Sequence, residues 1–195
     1  MAGAADGVLL AGGCSSRAGA FKMAEEVGGR PLILWGVEIL ASACRRVIVV
    51  AGARGERIAS LVAGLPGVEL ALNPDFARGM LSSVQAGARR VSAGRFFVLP
   101  GDMPLVRPAT LRALLAVAGD VVVPACGGRR GHPVLLGAAL VPEILAEPAG
   151  SSLGNIVRRR GAVVVEVGDA GVLADADTAP DLERADAELR ARGRG

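Results

Sequence analysis

The sequence predicts an α/β domain in which a mostly parallel sheet is covered by helices. Three observations predict it. Apolar runs of four to six residues alternate along the chain with stripes of helical period. The runs read as buried strands, as a sheet covered by helices requires. A glycine-rich turn directly follows the first run, where α/β sheets place ligand loops. With 195 residues there is enough chain for one sizeable core, and no linker, repeat or low-complexity segment divides it, so residues 1–195 are read as a single domain.

In chain order, Val8, Leu9 and Leu10 form the first strand. The stretch 10–22 then carries Gly12, Gly13 and Gly19, which let the backbone bend and turn its N–H groups outward, followed by the charges of Arg17 and Lys22. Backbone donors with an arginine and a lysine suit a polyphosphate. Two familiar phosphate loops do not match. Lys22 stands between Phe21 and Met23 rather than in a Gly-Lys-Ser/Thr run, and the glycines lack the dinucleotide spacing. Gly29-Arg30-Pro31 opens a helix with Pro31 in its first turn and Leu32, Trp35 and Ile39 on one face. Residues 46–50 are the second strand, ending at Gly52. Ile58, Leu61, Val62 and Leu65 stripe a helix that Pro66-Gly67 stops, and 68–72 is the third strand.

The irregular loop 73–80 leads to a helix that Ser82 or Ser83 can cap, with Val84, Ala88 and Val91 inward. Strand 95–99 runs into Pro100-Gly101-Asp102-Met103-Pro104. Asp102 thus follows a central strand at the edge where open α/β sheets bind ligands. By itself it could equally be a turn residue bonding its own backbone; convergence with the first loop favours a metal ligand. A helix at 110–118, striped by Leu111, Leu114, Leu115 and Ala118, precedes a strand at 120–124. The glycine-rich segment 126–134 follows, holding the only histidine, His132, close to Arg129 and Arg130. A lone histidine is ordinarily structural, but this basic setting points toward substrate; no partner spacing supports metal ligation. Helices at 139–145 and 153–159, a strand at 162–167 and a terminal helix striped by Leu182, Ala185 and Leu189 complete the chain. Before that last helix, Asp175 and Asp177 are expected to point different ways, one toward a metal and the other capping the helix.

Composition excludes several classes. A formal charge of +3 with 3% aromatic residues argues against a nucleic-acid surface, and Arg158-Arg159-Arg160 reads as a solvated helix end. No apolar stretch is long enough to span a bilayer, and the first residues lack a signal sequence, so a cytoplasmic location is expected. Cys14, Cys44 and Cys126 are read as reduced thiols. Cys14, Ser15 and Ser16 lack a nearby base and are not read as nucleophiles.

Leu10, Ala11, Gly12, Gly13, Ser15, Arg17, Gly19 and Lys22 fit the Leu-Ala-(Gly/Ala)-Gly-x-Ser-x-Arg-x-Gly-x-x-Lys signature, and the chain resembles the MobA-like nucleotidyltransferases. The resemblance continues in order at Gly29-Arg30-Pro31-Leu32, Gly79-Met80-Leu81-Ser82-Ser83, Gly101-Asp102-Met103-Pro104, Arg130-Gly131-His132-Pro133-Val134 and Asp175-Ala176-Asp177-Thr178. The opening Leu-Ala-Gly-Gly is nearer the guanylyl form. The segments at 79–83, 101–104 and 130–133 are nearer the cytidylyl form, so the chain looks most like the molybdenum cofactor cytidylyltransferases. Residues 151–155 depart from the family's Gly-Asp-x-Gly-Ala-Arg pattern, and Ala179-Pro180 shifts its Thr-Pro by one.

The resemblance implies a Rossmann-like, three-layer α/β/α fold of the nucleotide-diphospho-sugar transferase type. It implies transfer of CMP from CTP to a phosphorylated, molybdopterin-type acceptor, with pyrophosphate released and Mg²⁺ as cofactor. On that reading Arg17, Lys22 and Asp102 carry catalysis. Asp102 with Asp175 or Asp177 holds the metal. Leu10, Ala11, Gly12, Gly13, Ser15, Ser82, Ser83 and Gly101 join Arg17, Lys22 and Asp102 around the nucleotide, and Arg130 and His132 face the acceptor. A molybdoenzyme or its chaperone is the implied partner. Alternatives are a GTP-dependent guanylyltransferase, a sugar-phosphate nucleotidyltransferase, and a non-catalytic nucleotide-binding module that delivers a cofactor.

Overall fold

The structure is a computed structural model, and the residues it describes are 5–12, 21–52 and 54–193. The strands are β1 (Ala5–Leu10), β2 (Glu26–Val27), β3 (Arg30–Pro31), β4 (Cys44–Ala51), β5 (Val68–Leu72), β6 (Arg95–Pro100), β7 (Val121–Cys126), β8 (Arg129–Arg130), β9 (Val134–Gly137) and β10 (Val163–Glu166). The helices are α1 (Leu32–Ala41), α2 (Gly55–Val62), α3 (Met80–Ala88), α4 (Pro108–Leu115), α5 (Val141–Ala146), α6 (Leu153–Arg160) and α7 (Ala179–Arg192). Pro31 stands just before α1 instead of inside its first turn.

The main sheet runs β10-β7-β9-β6-β1-β4-β5, with β8 as a short hairpin partner of β7. β1 pairs in parallel with β4 and β6, β4 with β5, and β7 with β10. β9 runs against both neighbours, Val98 opposite Val134 and Val122 opposite Leu135. The sheet is therefore mostly parallel, as expected, but 134–137, which the sequence leaves looking like the end of a loop, is a reversed strand.

Side chains alternate through the sheet, and the two resulting sets are buried under different helices. Leu9, Val47, Val49, Phe97 and Leu99 pack with Leu32, Leu40, Ile58, Leu111 and Leu189 of α1, α2, α4 and α7. Val8, Ile48, Val50, Phe96 and Val98 pack with Leu81, Val84, Ile144 and Ile156 of α3, α5 and α6. That makes three layers, α/β/α. No helix among the described residues is long and apolar enough to cross a membrane.

The two sheet edges differ in purpose. At the amino-terminal edge, Asp6 is fully buried and accepts hydrogen bonds from Arg45 Nε (2.8 Å) and from the Ser92 and Ala93 N–H groups. Burial alone would raise its carboxyl pKa; the bonds from Arg45, Ser92, Arg46 and Ala93 outweigh this and hold it at about 2. The carboxyl-terminal edge gathers the loops that the sequence marks as functional.

Candidate active site

Three separate segments converge beyond the carboxyl ends of β1 and β6. Lys22 begins a 3-10 turn, Lys22–Ala24, whose Met23 is buried and fixes the turn to the core. Its Nζ donates to Asp102 Oδ2 at 2.9 Å and to Asp177 Oδ1 at 2.7 Å. Burial would lower the Lys22 pKa, but the hydrogen bonds to Asp177 and Asp102 hold it above the usual lysine value. The Lys22 side chain is only 13% exposed, against 24% for Asp102 and 56% for Asp177.

Asp102 is fixed because the turn after β6 is stitched to β1. Gly101 N–H donates to the Leu10 carbonyl at 2.9 Å, and Ala11 N–H donates to Val50, extending β1 to the rim. Ala176 N–H in turn donates to the Asp102 carbonyl at 2.8 Å. That bond brings the distal aspartates in. Their expected division does not occur: Ala176 is buried between exposed Asp175 and Asp177, the alternation that puts positions i and i+2 on one side. Neither caps α7. Thr178 does so, in a capping box with Asp181.

The expectation that Ser82 or Ser83 caps α3 is also corrected. α3 starts after Gly79, whose φ of 98° suits glycine, and no side chain caps it. Both serines lie buried in its first turns, where Asn73 Nδ2 donates to Ser82 Oγ (2.8 Å) and Ser83 Oγ (3.0 Å). Ser82 Oγ already donates back toward the Gly79 and Asp75 carbonyls. Asn73 is the organiser that the sequence reading missed; the Asn-Pro following a strand was its one signal. A Cβ on Gly12 would stand 3.0 Å from Ser83 Oγ, so Gly12 and the α3 start form one wall.

His132, within the fields of Asp102 and Asp175, is half-buried, and its backbone N–H donates to the Val172 carbonyl at 2.9 Å. Burial holds its imidazole below the usual histidine pKa, while the fields of Asp102 and Asp175 oppose that shift. Arg130 lies exposed on the β7–β8 hairpin at the same rim. Gly13, Ser15 and Arg17, with Cys14, lie outside the described residues.

The donor set fits a small hard cation. Two carboxylates meet one ammonium, leaving one net negative charge, with Asp175 exposed beside them. Among the described residues no group of three or more His, Cys, Asp or Glu could hold a metal by itself. Such a sparse carboxylate set is typical of Mg²⁺ sites completed by substrate phosphates and water.

The chain is similar to several known proteins. Molybdenum cofactor cytidylyltransferase of Escherichia coli (strain K12) is 27% identical over 180 residues, covering 92% of this chain and 94% of that protein. Molybdenum cofactor guanylyltransferase of Cereibacter sphaeroides is 32% identical over 196 residues, covering 94% and 96%. The crystal structure of Rv0371c from Mycobacterium tuberculosis H37Rv matches with a TM-score of 0.82 at 25% identity, covering 96% of this chain and 99% of that one. Rv0371c has also been crystallised in complex with manganese (TM-score 0.77, 22% identity, covering 93% and 97%). Residues 7–165 match the MobA-like NTP transferase domain, and the chain belongs to that family.

Proposed function

We propose that this protein transfers CMP from CTP to the phosphate of a molybdopterin-type acceptor and releases pyrophosphate. The observation that carries the reading is Lys22 held between Asp102 and Asp177 at the rim of β1 and β6. An acceptor phosphate oxygen attacks the α-phosphorus, the new P–O bond forms, and the bond to the β-phosphate oxygen breaks. Anion approaches anion, so positioning and charge neutralisation do most of the catalysis. Lys22, with Arg17, grips the phosphates and offsets the charge that grows as pyrophosphate leaves. Asp102 with Asp177 or Asp175 would hold Mg²⁺, which when bound supplies further neutralisation of the triphosphate. On this reading Leu10, Ala11, Gly12, Gly13, Ser15, Gly101, Ser82 and Ser83 are assigned to nucleotide binding, and Arg130 and His132 to the acceptor. No side chain acts as a nucleophile.

A guanylyl reading is favoured by the Leu10-Ala11-Gly12-Gly13 run and by the guanylyltransferase relative. Pyrophosphate release measured with each of the four ribonucleoside triphosphates, Mg²⁺, and either molybdopterin cofactor or sugar phosphates separates the readings. CTP-dependent release requiring the pterin acceptor is the expected result. Preference for GTP moves the assignment to the guanylyl reaction, and no release from any combination refutes transfer.

A further inference from the structure

Helix α4 begins without a cap of its own. Arg107 occupies the N-cap position and makes no side-chain capping bond, and Pro108 follows. The anion that such a helix start attracts comes from Asp169, a residue with no part in the proposed transfer. Asp169 is 4% exposed. Its Oδ2 accepts from Arg107 N–H at 2.8 Å and from Thr110 Oγ1 at 2.6 Å, and its Oδ1 accepts from Gly171 N–H at 3.0 Å.

This bond set fixes a strap of chain, residues 167–178, between β10 and α7. The 3-10 turn Ala170–Leu173 is pressed on both sides. A Cβ on Gly171 would lie 2.2 Å from the Leu105 carbonyl oxygen, and one on Gly131 would lie 2.0 Å from that of Val172. Further along, the strap is tied a second time, Ala176 N–H to the Asp102 carbonyl, and the next residue meets Lys22. The Asp169 and Ala176 ties both go to one stretch of chain, Asp102 to Thr110, while Val167 N–H and the Val172 carbonyl bind the strap to Ala125 and His132.

We infer that Asp169 is a positioning residue that docks the strap and thereby sets Asp177 against Lys22 and Asp102. The kinetic arm of this inference rests on the proposed transfer; the structural arm does not. Asparagine at 169 keeps the size but must point its amide N–H groups at one of the existing donors. One contact then becomes donor against donor.

The test compares Asp169→Asn and the milder Thr110→Val with wild type, each checked for folding by circular dichroism. Hydrogen exchange at the Ala176 amide reads docking without turnover; it should quicken by about tenfold or more in Asp169→Asn while α3 amides stay unchanged. Turnover should fall by about tenfold or more with nucleotide KM changed by less than about twofold, since small misplacements at a reacting centre act on the chemical step. In an Asp177→Asn background the same substitution should reduce kcat by less than about twofold further, because its route of action is already gone. Thr110→Val should shift both readouts in the same direction by less. Unchanged Ala176 protection in folded Asp169→Asn overturns the inference, as does an equal kcat loss with and without Asp177. If wild type turns over no nucleotide, the proposed transfer fails while the exchange measurement still decides the docking.

Discussion

Replacing Lys22 with alanine tests the centre of the site, because it should lower turnover while raising the affinity for the metal. In the native arrangement one ammonium neutralises one of two carboxylates. The Asp102 contact carries more weight than the Asp177 contact, since Asp177 is 56% exposed and its pairing is screened by water. A charge pair at about 4 Å near a protein surface is worth roughly 4 kcal/mol before desolvation is subtracted. Loss of a well-placed group facing developing negative charge costs about 3 kcal/mol, or roughly 10²-fold in kcat. At the same time Lys22→Ala leaves both carboxylates without the ammonium, so the half-saturating Mg²⁺ concentration should fall as kcat falls. Steady-state pyrophosphate release across a Mg²⁺ titration reads both, and a thermal melt checks that the fold persists. The effect should be flat from pH 6 to 9. The raised Lys22 pKa leaves its stabilising charge in place below the unfolded value, and it is lost only as pH rises through the folded one. A change confined to KM, or a rise in the Mg²⁺ requirement, refutes the assignment of Lys22 as the cation that shares these carboxylates with the metal.

Asp102→Asn should leave the melt nearly unchanged yet remove most metal-dependent transfer, by about 10² or more; near-normal turnover would show that Asp102 holds no metal. His132, the sole histidine, has its pKa lowered by burial, so stability should be full above the ordinary value of 6.5 and decline as pH falls below it. His132→Gln should flatten that decline in unfolding midpoints measured from pH 7.5 to 5. The Asp6 carboxyl, held at about 2 against an ordinary 3.8, contributes about 2 kcal/mol at neutral pH that disappears as pH falls through 4 toward 2. Urea unfolding followed by the single tryptophan, Trp35, should show Asp6→Asn destabilised at pH 7, with a smaller difference from wild type at pH 3.

The legible parts of this molecule are those whose signal is local. β5 falls at Val68–Leu72 as the apolar run predicts, and Asp102 stands just past β6 because a strand end is readable from its last apolar residue. Lys22 and Asp177 are 155 positions apart, and no periodicity joins them; only the resemblance put them in one site. Ser82 and Ser83 look like caps because serine near a helix start commonly is one, but capping depends on where the first turn closes, and that is set by Gly79 and Asn73. The reversal of β9 was hidden for a different reason. A four-residue apolar run states burial, and its direction is decided by neighbours distant in sequence. Nothing near Asp169 in the sequence singles it out, because the helix start it serves lies 62 residues earlier.

The reversed strand also shapes how such a protein can diversify. Since β9 enters the sheet from the rim that its neighbours leave by, the turn before it hands His132 and Arg130 to the same opening as Asp102, from a hairpin separate from the glycine loop. Lengthening or recolouring the Cys126–Arg130 hairpin therefore alters one doorway and leaves the other wall, built by Gly12, Asn73 and Ser83, as it was. On the proposed reading, edits at a few exposed hairpin positions exchange one acceptor for another without rebuilding the wall that faces the nucleotide.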